Sequence, residues 1–179
     1  MGKRLLLLGA GGHGKVVYEV ARSLCDRDGT PLYTVIDFLD DAVSDAVGKM
    51  AELESVGRNY DAIFCGIGNN AFRRELLERT AKMGKEIPAL IHPSAYISSS
   101  AIVEKGTIVE PKAILNTNVW VQQGSIISVG AIVDHDAVIG SYSHVNAGAI
   151  CKAGSHIESG RKLEAGEVVL GYIQKENGL

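Results

Sequence analysis

The stretch VEPKAILNTNVWVQQGSIISVGAIVDHDAVI, residues 109–139, keeps a beat of six: Val109, Leu115, Val121, Ile127, Val133 and Ile139 are all aliphatic. Followed from Ile91 to Val169, the beat covers fourteen positions, and every one is apolar. A hydrophobic content of 46% would supply about six by chance. Four residues after each beat comes a small residue, such as Ala95, Ala101, Thr107, Ala113, Ser125, Ala131, Ala137, Ser143, Ala149 and Ser155. Gly recurs one step earlier, at Gly106, Gly124, Gly130, Gly148, Gly154 and Gly160. A helix repeats every three to four residues and a strand every two, so neither gives this pattern. A chain that runs a short strand, turns and runs again does. The aliphatic residue fills the interior, the small one fits the corner, and Gly relaxes a turn of positive φ. Three hexapeptides then close a coil of about eighteen residues, with i and i+18 stacked at the strand spacing of about 4.8 Å. The expected fold from Ile91 onward is a left-handed parallel β-helix. Its corner rule breaks at Arg161 and Glu167, which are charged and need a partner, so the last coil is expected to be irregular and to act as a cap.

Before Ile91 the pattern changes. Arg4–Gly9 and Ala62–Ile67 read as strands, as does Leu32–Ile36 ending on Asp37. Amphipathic helices are expected over Lys15–Cys25 and Asn70–Lys82, the second with Arg73, Arg74, Glu75, Glu78 and Arg79 on its polar side. Alternating strands and helices imply a small parallel, Rossmann-like sheet. The boundary is expected near residue 88, giving an α/β domain over 1–88 and the β-helix over 89–179. Gly9-x-Gly11-x-x-Gly14 between strand and helix, with Asp37 about twenty residues on, has the form of a dinucleotide-binding turn whose backbone approaches phosphate. A merely structural tight turn is the other reading. Gly68, Asn69 and Asn70 follow the third strand and offer donors and acceptors, although Asn69 or Asn70 equally suits a helix N-cap.

The 179 residues carry 22% charged side chains, 6% aromatics and a net charge of −3, with no basic face for nucleic acid. Leu5–Leu8 is too short for a signal h-region, and Leu6 stands where myristoylation wants Ser or Thr. No apolar run reaches the roughly 20 residues of a membrane span. Cys25, Cys65 and Cys151 are widely spaced and odd in number, which suits reduced thiols in the cytoplasm and neither a disulfide framework nor a metal site.

Taken in order, Gly9-Ala10-Gly11-Gly12-His13-Gly14-Lys15-Val16-Val17, Ile36-Asp37, Ile67-Gly68-Asn69-Asn70 with Arg73, Ile91-His92-Pro93-Ser94-Ala95, and Asp134-His135-Asp136 followed by His144 carry a resemblance. The chain resembles, over nearly its whole length, bacterial sugar acyltransferases of the sialic-acid O-acetyltransferase and pilin-glycosylation type, the NeuD/PglD-like family. The resemblance implies a homotrimer whose N-terminal domains hold a nucleotide-linked sugar, often a UDP-amino sugar, and whose β-helices hold acetyl-CoA between subunits. It implies His135 as general base with Asp136 orienting or polarising it. Gly11, Gly12, His13, Gly14, Asp37, Gly68, Asn69, Asn70 and Arg73 become the candidate substrate-binding residues. The extra coils and the Gly-x-Pro-Ala-Lys-like tail seen in many members are missing.

Acyl transfer from a thioester needs a deprotonated acceptor and a stabilised oxyanion. A histidine flanked by carboxylates, as His135 is by Asp134 and Asp136, suits the first task. Eighteen residues on, Ala153 stacks over His135, where its N–H can point at the thioester oxygen. His144 lies nine residues on, half a coil away, and is expected to diverge from His135 within one subunit and to meet it, with the acyl donor, across a trimer interface. His92 is expected to pack at the junction, His156 has no carboxylate pattern, and Cys151 occupies a core slot. The last regular hexapeptide is expected near Ile173, about two coils beyond His135. The leading expectation is an acetyl-CoA-dependent transferase acting on an amino, or less readily a hydroxyl, group of a nucleotide-activated sugar. An NAD-dependent protein that uses the β-helix to trimerise, and a nucleotide-sugar sensor without catalysis, are the alternatives.

Overall fold

The computed structural model describes residues 2–172; the hexapeptide expected near Ile173 lies outside them. Strands β1 (Lys3–Leu8), β2 (Tyr33–Leu39) and β3 (Ala62–Cys65) form a parallel sheet in the order β2-β1-β3. Leu5 to Leu8 are an unbroken apolar run because β1 is central and covered on both faces. Leu5 and Leu7 pack with Val17, Val20 and Ala21 of α1 (Gly12–Arg22). Leu6 and Leu8 pack with Leu53 of the short α2 (Leu53–Val56) and with Leu76 and Leu77 of α3 (Asn70–Lys82).

Helix α1 begins three residues before the expected Lys15, so Gly12, His13 and Gly14 form its first turn instead of a preceding loop. The cause is close packing. A Cβ on Gly14 would stand 2.0 Å from the Gly9 carbonyl oxygen, so only glycine lets the helix start against the end of β1. Gly9 itself turns at φ 96°. Strand β2 runs on to Leu39, which puts Asp37 inside the strand and not at its end.

From Leu90 onward the chain is the left-handed β-helix expected, in two-residue strands. The first sheet stacks β4 (Leu90–Ile91), β7 (Ile108–Val109), β10 (Ile126–Ile127) and β13 (His144–Val145). The second holds β5 (Tyr96–Ile97), β8 (Ile114–Leu115), β11 (Ile132–Val133), β14 (Ile150–Cys151) and β16 (Val168–Val169). The third holds β6 (Ile102–Val103), β9 (Trp120–Val121), β12 (Val138–Ile139) and β15 (His156–Ile157). Every neighbour is eighteen residues away, as in Ile126↔Ile108 and Ile126↔His144. The second residue of each strand points inward, and Val109, Leu115, Val121, Ile127, Val133, Ile139, Val145, Cys151 and Ile157 are wholly buried there. Each aliphatic side chain contributes roughly 1.5–3 kcal/mol of transfer free energy, realised only as a continuous stack. Cys151 sits in this core with its thiol pushed up to about 12 by burial, which removes it as a nucleophile.

The first residue of each strand points outward, and the three faces differ in what covers them. Leu90, Ile108 and Ile126 on the first face are buried with Leu5, Leu7, Phe64 and α1. The N-terminal half therefore sits on that face. Tyr96, Ile114 and Ile132 on the second face, and Ile102 and Trp120 on the third, are exposed. The two charged corners meet: Arg161 Nη2 and Glu167 Oε1 pair at 2.7 Å in the last described coil, where Lys162 makes only an isolated bridge to His144.

Arg73 does not lie on the polar side of α3. It is buried to 1% exposure and joins the two halves. Its Nε donates to the Gly124 carbonyl at 2.7 Å, Nη1 to Ile67 O at 3.0 Å, and Nη2 to Asn70 Oδ1, Tyr142 O and Ser143 O at 2.8, 2.9 and 3.2 Å. Tyr142 holds a left-handed conformation (φ 58°) that brings its carbonyl into this set, and its ring packs over Gly124. Asn70 Nδ2 completes the joint by donating to Gly160 O at 2.9 Å. Arg73 and Asn70 are thus both engaged in holding the two halves together.

Candidate functional site

His135 stands on the turn between β11 and β12, which is the corner between the second and third faces. Its own backbone N–H donates to Asp134 Oδ1 at 2.8 Å, and Asp134 is held in turn by Asn116 Nδ2 one coil below, at 3.0 Å. The ring Nδ1 lies 2.8 Å from Asp136 Oδ2. Asp136 occupies the left-handed turn position, at φ 58°, that many hexapeptides give to Gly and that Lys112, Asn118 and Tyr142 also fill. A non-glycine residue in the left-handed region costs about 1 kcal/mol or more, although Asp tolerates it better than most. The strain places the carboxylate beside the ring. Asn118 Nδ2 donates to Asp136 Oδ1 at 3.0 Å, and the Tyr172 hydroxyl donates to Oδ2 at 3.0 Å.

These contacts set the charges. Hydrogen bonding to Asp136, then the fields of Asp134 and Asp136, hold the His135 imidazole above its ordinary pKa. The His135, Asn118 and Tyr172 donors hold the Asp136 carboxyl below the usual range. With Nδ1–H directed at a carboxylate that stays ionised, Nε2 is left as the acceptor. Ala153 stacks one coil above, as the spacing predicts: Gly154 N–H donates to His135 O at 2.9 Å. Among the described residues no backbone acceptor takes the Ala153 N–H.

A second cluster lies on the first face, beneath the N-terminal half. His13, in the first turn of α1, brings its ring within 6.3 Å of the His144 ring. Its Nδ1 is 3.5 Å from Glu110 Oε1. His144 Nε2 is 3.0 Å from Ser128 Oγ, and Glu110 Oε2 accepts from Val129 N–H at 2.9 Å. Burial, helped by the Arg73 charge, drives His13 down to about 4. Burial, helped by His13 and Arg73, does the same to His144. Both imidazoles are therefore neutral at pH 7, and the His13–Glu110 approach is a neutral-ring contact, not an ion pair. His13 Nε2 and His144 Nδ1 are buried with no partner among the described residues. A buried polar atom left unpaired costs roughly 1–3 kcal/mol, so these nitrogens mark a place prepared for a polar group.

His135 and His144 diverge within the chain, as expected. The His135 corner lies opposite the first face, where His144 and the N-terminal half sit. Sequence reasoning did not bring His13 to His144, nor include Glu110 and Ser128. One signal was present: the outward row Leu90, Ile108, Ile126 is apolar until His144 interrupts it.

The strand ends that face the glycine turn form the third element. Gly11 caps α1 without side-chain help, and the turn of Gly12, His13 and Gly14 follows it. Asp37 is not here. It accepts the Tyr60 hydroxyl at 2.7 Å within β2. Asp40, just after β2, reaches the turn instead, accepting from Ala10 N–H at 2.7 Å and from Ala42 and Val43 N–H with its other oxygen. The longer β2 hid this residue. Gly68 and Asn69 follow β3, and Asn69 caps α3 by accepting from Phe72 N–H at 3.0 Å. His92 holds Ser94 at the junction through Nδ1. His156 is exposed. No group of three or more metal-ligating side chains occurs among the described residues, and no described helix is long and apolar enough to cross a membrane.

Comparison with known proteins places this architecture. A family model described as the PglD N-terminal domain matches residues 4–80. The acetyltransferase domain of PglB from Neisseria gonorrhoeae FA1090, in complex with acetyl coenzyme A, is 31% identical with a TM-score of 0.78, over 96% of this chain and 92% of that one. PerB from Caulobacter crescentus, in complex with CoA and GDP-perosamine, is 28% identical with a TM-score of 0.74, over 94% of this chain and 89% of that one. UDP-N-acetylbacillosamine N-acetyltransferase of Bacillus subtilis (strain 168) is 32% identical over 113 residues, 60% of this chain and 51% of that protein. The chain thus spans about half the length of that curated relative. Fold, order of the two halves and sequence identity agree, and the chain belongs to the PglD-like family of sugar acetyltransferases.

Proposed function

We propose that the chain moves an acetyl group from acetyl-CoA to the amino group of a nucleotide-activated sugar, with His135 as general base and Asp136 orienting it. The carrying observation is the 2.8 Å contact between His135 Nδ1 and Asp136 Oδ2 on an exposed corner, with Asp136 kept in a left-handed turn. Nε2 takes a proton from the attacking amine as nitrogen bonds to the thioester carbon. The oxyanion that develops accepts from Ala153 N–H. Collapse breaks the carbon–sulfur bond, and the imidazolium returns its proton to the departing thiolate. Acetyl-CoA enters as co-substrate, supported by the acetyl-CoA complex of the PglB domain.

The nucleotide-linked sugar belongs at the glycine turn. The free N–H groups of Gly11, Gly12, His13 and Gly14 at the start of α1 suit a pyrophosphate, and Gly68 and Asn69 line the neighbouring strand end. His13 and His144, both neutral, offer hydrogen bonds to the sugar or to the acyl donor. Because the N-terminal half covers the face opposite His135, a complete site needs a neighbour's corner. The bare rows containing Tyr96, Ile114 and Trp120 are the surfaces that would bring one in, as a homotrimer. The free thiols of Cys25, Cys65 and Cys151 favour a reducing, cytoplasmic setting. A thermal-shift and turnover panel tests the reading. Acetyl-CoA and a UDP- or GDP-amino sugar should each stabilise the protein and together release thiol, whereas stabilisation by NAD alone with no thiol release would overturn it.

A further inference from the structure

Past β16 the backbone folds over the corner above His135. Tyr172 N–H donates to Ala153 O at 3.1 Å, and the Tyr172 ring lies flat against Gly154, where a Cβ would meet it at 2.2 Å. Gly171 is packed as closely on the Ala153 carbonyl. Glycine at 154 and 171 thus makes room for this crossing. It delivers the phenol to Asp136 Oδ2, 3.0 Å away, on the same oxygen that His135 Nδ1 contacts at 2.8 Å. The ring centroids of His135 and Tyr172 are 6.4 Å apart.

We propose that Tyr172 is a positioning residue for the His135–Asp136 pair, its hydroxyl sharing the carboxylate oxygen with the imidazole and so limiting how strongly Asp136 holds the ring. Two donors on one oxygen compete. The phenol fixes the carboxylate rotamer, with Asn118 on the other oxygen, and it also withdraws charge that would otherwise stabilise the imidazolium. The titratable groups facing the ring are Asp134 and Asp136 on its own turn and Tyr172 from the stretch after β16. Lys152, eighteen residues beyond Asp134, is the cation on the coil above. The role in the reaction rests on the general-base reading of His135; the coupling itself does not.

The test removes the hydroxyl alone, as Tyr172→Phe, and then the ring too, as Tyr172→Ala. The His135 ring is titrated by NMR, and kcat/KM is followed against pH with acetyl-CoA and an amino sugar. Both variants should raise the His135 midpoint by roughly 0.3–0.5 pH unit, and the acid limb of kcat/KM should move up with it. An unchanged His135 midpoint in both variants overturns the proposal. A midpoint that rises while the acid limb stays in place overturns the general-base reading instead, and with it the role assigned to Tyr172 in the reaction.

Discussion

Replacing Arg73 by Ala should be among the most damaging single changes in the molecule, although Arg73 touches neither candidate ligand site. Arg73 is 1% exposed and has no carboxylate partner among the described residues; its charge is met by carbonyl dipoles and one amide. Burial holds its pKa down to about 10, so it still carries its proton at pH 7. Truncation leaves the Gly124, Ile67 and Tyr142 carbonyls at the junction without their donor, while Ser143 O keeps the Ile126 N–H, and it opens a cavity the length of the side chain. A buried acceptor left unpaired costs about 1–3 kcal/mol, so three of them together cost roughly 3 kcal/mol or more. The lower bound is already a large share of the roughly 5–15 kcal/mol that keeps a domain folded. Urea unfolding followed by far-UV circular dichroism should show the midpoint falling by an amount equivalent to about 3–5 kcal/mol. Arg73→Lys should recover little, since an ammonium cannot span Gly124, Ile67 and Ser143 together. A loss below about 1 kcal/mol in Arg73→Ala would refute the idea that this residue joins the two halves.

His135→Ala should lower kcat by ~10²-fold or more with the fold intact, checked by circular dichroism, and Asp136→Asn should cost less. Acid should weaken the fold through His13 and His144. Each has a folded pKa of about 4 against about 6.5 unfolded, so the unfolded chain binds the extra protons. The stabilisation is complete above pH 6.5 and is lost as pH falls toward 4, by at most roughly 2–3 kcal/mol for each residue. Urea midpoints at pH 7 and pH 4.5 should show the loss, and His13→Gln/His144→Gln should flatten it. Trp120→Asp and Ile114→Asp should shift light-scattering mass from trimer toward monomer, as charge on an apolar contact face would.

The β-helix was legible to the residue because its period is a packing rule: each coil repeats the same three corners, and one slip would turn the aliphatic residue outward. The charged corners Arg161 and Glu167 stood out for the same reason, since they break the corner rule, and they pair with one another. The N-terminal half was read in outline only. Gly14 starts α1 early through a steric contact with Gly9 that composition does not display, and β2 outruns Asp37 because Phe38 and Leu39 continue its buried face. Arg73 was misplaced because it lies among five other charged residues on one helix, and only the tertiary carbonyls show that it faces inward. His135 and Asp136 were found through adjacency in sequence. Tyr172, thirty-six residues on, reaches the same carboxylate through a fold-back that the six-residue beat does not encode.

The most direct test of the account is thiol release from acetyl-CoA with a panel of UDP- and GDP-linked amino sugars, followed by mass spectrometry of the sugar product, for the native chain and for His135→Ala. The account predicts thiol release that depends on the amino sugar, an N-acetylated product, and loss of both in the variant. Product formation at the native rate by His135→Ala, or no acetylated sugar with any donor and acceptor pair, would contradict it.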